Sequence, residues 1–163
     1  ILARSRFESV ASRDCRYNPR PAGPASWRKN NVGTLGYKAL VEAAEAKIRI
    51  ISAADAMELL GSDDTVFVDL RDVRELQREG GIPGAFHCPR GLLEFWIDPE
   101  SPYHHAIFTE PKEFVFFCNL GWRSALAADI AQQMGLKTCH IDGGYEAWKA
   151  AGGKTEERKR KHK

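Results

Sequence analysis

Apolar and polar positions along this chain alternate between helix-like and strand-like stretches. Residues 37–47 read as a helix and 48–51 as a short strand. Ser52 stands as an N-cap before a helix over 53–60, which Gly61 ends. Residues 65–70 form the near-continuous apolar run of a strand buried on both faces. A helix over 72–79 stops at Gly80-Gly81, Ile82-Pro83-Gly84 turns the chain, and a short strand is expected over 85–88. Residues 91–97 read as helical, and the stretch through Pro99, Pro102 and His104 as irregular. A strand over 113–118 follows, then a helix over 124–134 closed by Gly135, a strand over 138–141 and, after Gly143-Gly144, a helix over 145–151. Repeated β–α alternation with buried strands predicts an α/β fold, a parallel sheet with helices on both faces. Ligands in such folds sit at the carboxyl ends of the strands.

Cys118 occupies such an end. The run Phe114-Val115-Phe116-Phe117 leads into it, and Asn119, Leu120, Gly121, Trp122 and Arg123 separate it from the helix predicted from Ser124. A helix N-terminus gathers open N–H groups and roughly half a positive charge, which stabilises a thiolate and draws anions. Gly121 permits a tight loop, and the Arg123 guanidinium suits an oxyanion. Cys118 is therefore a candidate nucleophile in an anion-binding loop. Cys88 and Cys139 lie within predicted strands and read as core. Trp148 reads as core on its helix.

Composition narrows the classes. The chain has 163 residues, 43% of them apolar, enough for one domain with a real core. No window approaches the ~18 apolar residues of a membrane span, so no membrane partner is expected. Residues 1–30 carry seven Lys/Arg against two acids, and 154–163 carry six against two, whereas 31–153 carry eleven against eighteen, a balance of −7. An acidic body argues against a nucleic-acid groove. Residues 1–33, with Pro19, Pro21, Gly23 and Pro24, are expected to be a disordered or extended basic tail; residues 34–153 form the domain, and 154–163 a solvated basic tail. The two methionines, Met57 and Met134, include no initiator, so the first residues read as processed or foreign. The four cysteines show no C-x-x-C pair, which suits free thiols in a reducing, cytoplasmic setting; an Arg-rich start leaves an organellar transit peptide as the alternative. Neither the cysteines nor His104-His105 have metal-ligand spacing, so no metal is expected.

Four stretches in order resemble the rhodanese-like family: Asp69-Leu70-Arg71-Asp72 with Glu75; Gly81-Ile82-Pro83-Gly84-Ala85-Phe86-His87; Cys118 to Arg123; and Asp142-Gly143-Gly144-Tyr145-Glu146-Ala147-Trp148. The resemblance implies a three-layer sandwich around a five-stranded, mainly parallel sheet. It also implies a sulfurtransferase that carries sulfur as a persulfide on Cys118, without a cofactor. Donors would be thiosulfate or a persulfide; acceptors would be cyanide, a small thiol or a protein thiol. Asn119 departs from the arginine common at that position and removes one cation from the loop. Related folds with phosphatase or arsenate-reductase chemistry resemble C-x5-R; here the spacing is C-x4-R, a smaller cradle fitted to one sulfur.

Three further residues are read as supporting. Asp69 is either a carboxylate behind the active loop or a helix-entry residue accepting N–H bonds. Arg71 and Glu75, four apart, are expected to pair and fix the turn. His87 reads as a packed strand end, and Trp122 as the mouth of the pocket, packed on the Phe95–Trp96 segment. The alternative to a small-molecule enzyme is a sulfur-relay or redox-sensing module that docks a protein through the aromatic segment from Leu92 to Tyr103.

Overall fold

The computed structural model of the chain describes residues 35–158. The tail expected over 1–33 and the basic end from 159 lie outside the described residues. The elements in order are α1 (Tyr37–Glu45), β1 (Arg49–Ile51), α2 (Ala53–Leu59), β2 (Thr65–Asp69), α3 (Val73–Glu79), β3 (Phe86–His87), α4 (Leu93–Ile97), β4 (Glu113–Phe117), α5 (Trp122–Gln133), β5 (Lys137–Ile141) and α6 (Gly144–Ala150). Short 3₁₀ turns at Arg90–Leu92 and Ala106–Thr109 flank α4.

The five strands form one sheet in the order β1-β5-β4-β2-β3, and every pairing is parallel. The expected α/β architecture therefore stands. β4 is the central strand, and all five of its residues are buried. Phe114 and Phe116 face one side of the sheet with Val41, Leu93, Ile97 and the α5 alanines 125, 128 and 131. Val115 and Phe117 face the other with Ala53, Ala56, Tyr145 and Trp148. Because side chains alternate along a strand, one apolar run feeds two cores. The methyl side chains of α5 let that helix lie close over Phe114 and Phe116.

Local signals set most boundaries. Ser52 and Asp55 form a reciprocal capping box on α2, as Asp72 and Glu75 do on α3. Several elements are shorter by a residue than the periodicity suggests, which is ordinary fraying at ends.

Two differences have consequences. α5 begins at Trp122, two residues before the expected start, because Gly121 takes φ 93° at the N-cap position and turns the chain straight into the helix. Trp122 and Arg123 are thus first-turn helical residues rather than loop residues. The second difference is at the C-terminus, where the chain does not leave as a solvated tail at 154. Glu156 bridges Gly81 in antiparallel fashion through two backbone bonds of 2.9 and 2.8 Å. Trp148 donates its indole N–H to the Lys154 carbonyl at 2.9 Å, and Arg158 Nη2 donates to the Ala85 carbonyl at 2.7 Å. Charge composition suggested a free tail, but the backbone of this segment satisfies open groups beside Gly81.

Candidate active site

The site is assembled at the carboxyl ends of β2 and β4, which are paired neighbours with Asp69 opposite Phe117. Cys118 follows β4 directly and is 1% exposed. Its Sγ accepts the backbone N–H of Gly121 at 3.2 Å and lies 3.8 Å from the Ser124 hydroxyl. The first N–H groups of α5 lack intrahelical acceptors and face this end, so the sulfur sits where the helix is most positive. A cavity of about 270 Å³ opens over it, lined by Glu75, Cys118, Asn119, Leu120, Trp122 and Arg123. All six predicted active-loop residues are therefore in one place, and five of them line the cavity; the sixth, Gly121, touches the sulfur from below.

A second helix holds the loop. The first turn of α6 donates Tyr145 N–H to the Cys118 carbonyl at 2.7 Å and Glu146 N–H to the Asn119 carbonyl at 3.1 Å. Gly144, with φ 61°, makes this approach possible: a Cβ there would run into the Cys118 carbonyl oxygen and lie 2.8 Å from that of Asn119. The motif around Gly143-Gly144 is thus part of the seat of Cys118.

The supporting charges pair differently from the sequence expectation. Arg71 does not bond Glu75. Its Nε and Nη2 donate to the Asp69 carboxylate at 2.9 and 2.6 Å, and Nη2 also donates to the Gly80 carbonyl at 2.8 Å. The physical reason is that Arg71 precedes the Asp72 cap, so it is not on the helix and the four-residue spacing does not apply. Both members are essentially buried. Asp69 therefore anchors a buried ion pair and also accepts the Arg71 backbone N–H at 3.0 Å. The Arg71 guanidinium lies 3.9 Å from the Tyr145 ring centroid, which ties this pair to the helix that grips the loop.

Glu75 instead binds Arg123 in a fork, Oε2 to Nη1 at 2.7 Å and Oε1 to Nη2 at 2.8 Å. The Arg123 bond, opposed by burial and aided by the Asp72 N–H, lowers the Glu75 carboxyl from 4.5 to about 2. The same bond raises the Arg123 guanidinium further above its ordinary value.

Other residues fall as follows. Trp122 is half-exposed at the mouth and packs on Tyr37, ring centroids 5.2 Å apart, rather than on Phe95–Trp96. Trp96 packs on Phe86 and His105. His87 donates from Nε2 to the Arg71 carbonyl at 2.8 Å, a packed strand end. Cys88 and Cys139 are fully buried free thiols, each pushed up to about 12 by burial.

Two residues escaped the sequence reading. The Ser124 hydroxyl, buried beneath the loop, is 2.9 Å from the Gly121 carbonyl and 3.4 Å from His140 Nδ1. His140 is buried, which lowers its pKa, and its Nε2 has no hydrogen-bond partner. Ser124 carried a signal, since it follows Arg123 at a helix start; His140 sits in a different strand and carried none.

Comparison with known proteins bears on this geometry. Residues 52–151 match the family model for the rhodanese-like domain. The chain is 33% identical over 103 residues to thiosulfate sulfurtransferase GlpE of Pseudoalteromonas translucida, covering 62% of this chain and 89% of that protein. It is 30% identical over 105 residues to human thiosulfate:glutathione sulfurtransferase, covering 60% of this chain and 90% of that one. A solved structure from Rhodopseudomonas palustris, described as a protein of unknown function and possible tyrosine phosphatase, is 53% identical, with a TM-score of 0.75 over 78% of this chain and 98% of its own.

Proposed function

Since the chain belongs to the rhodanese-like domain family, we propose that it is a sulfurtransferase working through a Cys118 persulfide. The observation that carries this is the placement of Cys118 Sγ at the α5 N-terminus, 3.2 Å from the Gly121 N–H, beneath an open cavity. The thiolate attacks the outer sulfur of a donor, thiosulfate or a persulfide. The donor's S–S bond breaks, sulfite or a thiolate departs with the bonding pair, and Cys118 holds the sulfur as a persulfide. A thiol or cyanide then attacks that outer sulfur and restores the Cys118 thiolate. This is two-step covalent catalysis with ping-pong kinetics. No step needs a metal, and among the described residues no three His, Cys, Asp or Glu cluster as metal ligands would. Among the described residues, no helix is long and apolar enough to cross a membrane.

Exposure of the protein to thiosulfate or a persulfide, followed by peptide mass spectrometry, tests the covalent step: a gain of about 32 Da, one sulfur, is expected on the Cys118 peptide. Cys118→Ser is expected to abolish transfer with the fold intact, because oxygen does not store sulfane sulfur. Retained activity in that variant would refute the assignment.

A second reading, aryl-phosphate hydrolysis, is favoured by the description of the R. palustris relative. Against it stand the C-x4-R spacing and the engagement of both Arg123 Nη groups by Glu75, which leave a phosphate few donors. Phosphatase turnover lost in Cys118→Ser would promote it. In the protein-relay alternative, the exposed Leu92, Phe95 and Tyr103 are the docking face; faster transfer to a protein thiol than to cyanide or small thiols supports that reading.

A further inference from the structure

The charge state of the cavity bears on which donor it accepts. Its one lining cation, Arg123, is matched by the Glu75 carboxylate through two bonds of 2.7 and 2.8 Å. Glu75 is itself fixed, because Oε2 also accepts the Asp72 backbone N–H at 2.9 Å in the capping box. The pair is therefore held by the entry to α3 and is not a loose surface contact. Asn119 contributes an amide and no charge, and its Oδ1 is buried without a hydrogen-bond partner. Leu120 and Trp122, both about half-exposed, supply the rest of the wall. A doubly charged inorganic anion thus meets, besides the loop N–H groups, a guanidinium already held by a carboxylate and a lone pair on Asn119.

Resting on the sulfurtransferase reading, we propose that Glu75 is a specificity-determining residue: by neutralising Arg123 it turns the site away from thiosulfate and toward organic hydropersulfides, R–S–SH, whose carbon group lies against Leu120 and Trp122. The step balances. The Cys118 thiolate attacks the terminal sulfur, the R–S–S bond breaks heterolytically, R–S⁻ leaves with the electron pair, and Cys118 is left as S–SH. The leaving group carries one charge where sulfite would carry two, so the neutral site is adequate for it. The apolar wall offers an organic group burial that thiosulfate has no surface to use.

Two measurements test this, with cyanide as acceptor throughout. In the unmodified protein, kcat/KM for thiosulfate is expected not to fall as salt increases from about 20 to 200 mM, because Glu75 already covers the lining guanidinium and leaves no open cation for salt to screen. A fall of threefold or more would mean a working cationic site and would overturn the proposal. In Glu75→Gln, which keeps an acceptor for Asp72 N–H but removes the charge, the ratio of kcat/KM for thiosulfate to that for an alkyl hydropersulfide prepared in situ is expected to rise about tenfold, the effect of one uncovered charge worth about 1.4 kcal/mol. A ratio within twofold of the unmodified protein would overturn it. The salt series decides the matter even where Glu75→Gln fails to fold. Absence of sulfur on Cys118 with either donor would instead refute the sulfurtransferase reading, and the proposal with it.

Discussion

Gly144→Ala is the sharpest probe of how Cys118 is seated. The new Cβ would collide with the Cys118 carbonyl oxygen and approach the Asn119 carbonyl oxygen to 2.8 Å. Neither neighbour is a flexible side-chain tip; both are loop backbone, so the loop itself must move by several tenths of an ångström. φ at this position is 61°, a left-handed conformation that costs an alanine about 1–2 kcal/mol. Movement of the loop also weakens the bonds from Tyr145 N–H and Glu146 N–H, 2.7 and 3.1 Å long, each worth about 0.5–1.5 kcal/mol. The expected destabilisation is about 2–4 kcal/mol, which lowers Tm by roughly 10 °C. Sulfur transfer is expected to fall about a hundredfold, since a displacement near 1 Å at a reacting atom has that effect. Thermal unfolding and persulfide formation on Cys118, both followed at neutral pH, give the two numbers. A variant within 1 kcal/mol of the parent that transfers sulfur within threefold of it would show that α6 does not position the loop.

Other outcomes follow from the same contacts. Iodoacetamide at about pH 7 is expected to label Cys118 well ahead of Cys88 and Cys139, whose thiols burial pushes up to about 12; equal labelling in the native protein would contradict this environment. The Glu75 carboxyl, lowered from 4.5 to about 2, contributes stability that is present above about pH 4.5 and lost as pH falls toward 2, so Glu75→Gln is expected to flatten acid unfolding in that window, read by circular dichroism against pH. Asp69→Asn leaves the buried Arg71 charge with only the more distant Glu79 carboxylate, 3.9 Å away, and a loss of about 3 kcal/mol is expected in denaturant unfolding. Ser124→Ala removes the hydroxyl 3.8 Å from Sγ and leaves His140 Nδ1 unpaired; Cys118 alkylation near neutral pH is expected to slow about tenfold, the effect of losing one hydrogen bond to a charged sulfur.

The sequence by itself determined the β–α order, the parallel sheet, the two-faced core of β4 and the place of Cys118 at a strand-to-helix turn. Those features are written in neighbouring residues: Ser52 and Asp55 cap one helix, Phe114 to Phe117 fill both sides of one strand, and Gly121 with Arg123 marks the turn into α5. Tertiary structure alone decided which charges meet. Arg71 and Glu75 are four apart in the chain, yet Arg71 turns inward to Asp69, while Glu75 reaches Arg123 across 48 residues. Spacing rules hold only within a helix, and Arg71 lies before its start. The Glu75–Arg123 pair exists because β2 and β4 are sheet neighbours, which sets the first turns of α3 and α5 side by side. His140 beneath Ser124, Gly144 against the Cys118 carbonyl and Glu156 beside Gly81 have the same origin. Each joins chain segments whose proximity is a property of sheet order, and sheet order emerges only when the whole core packs.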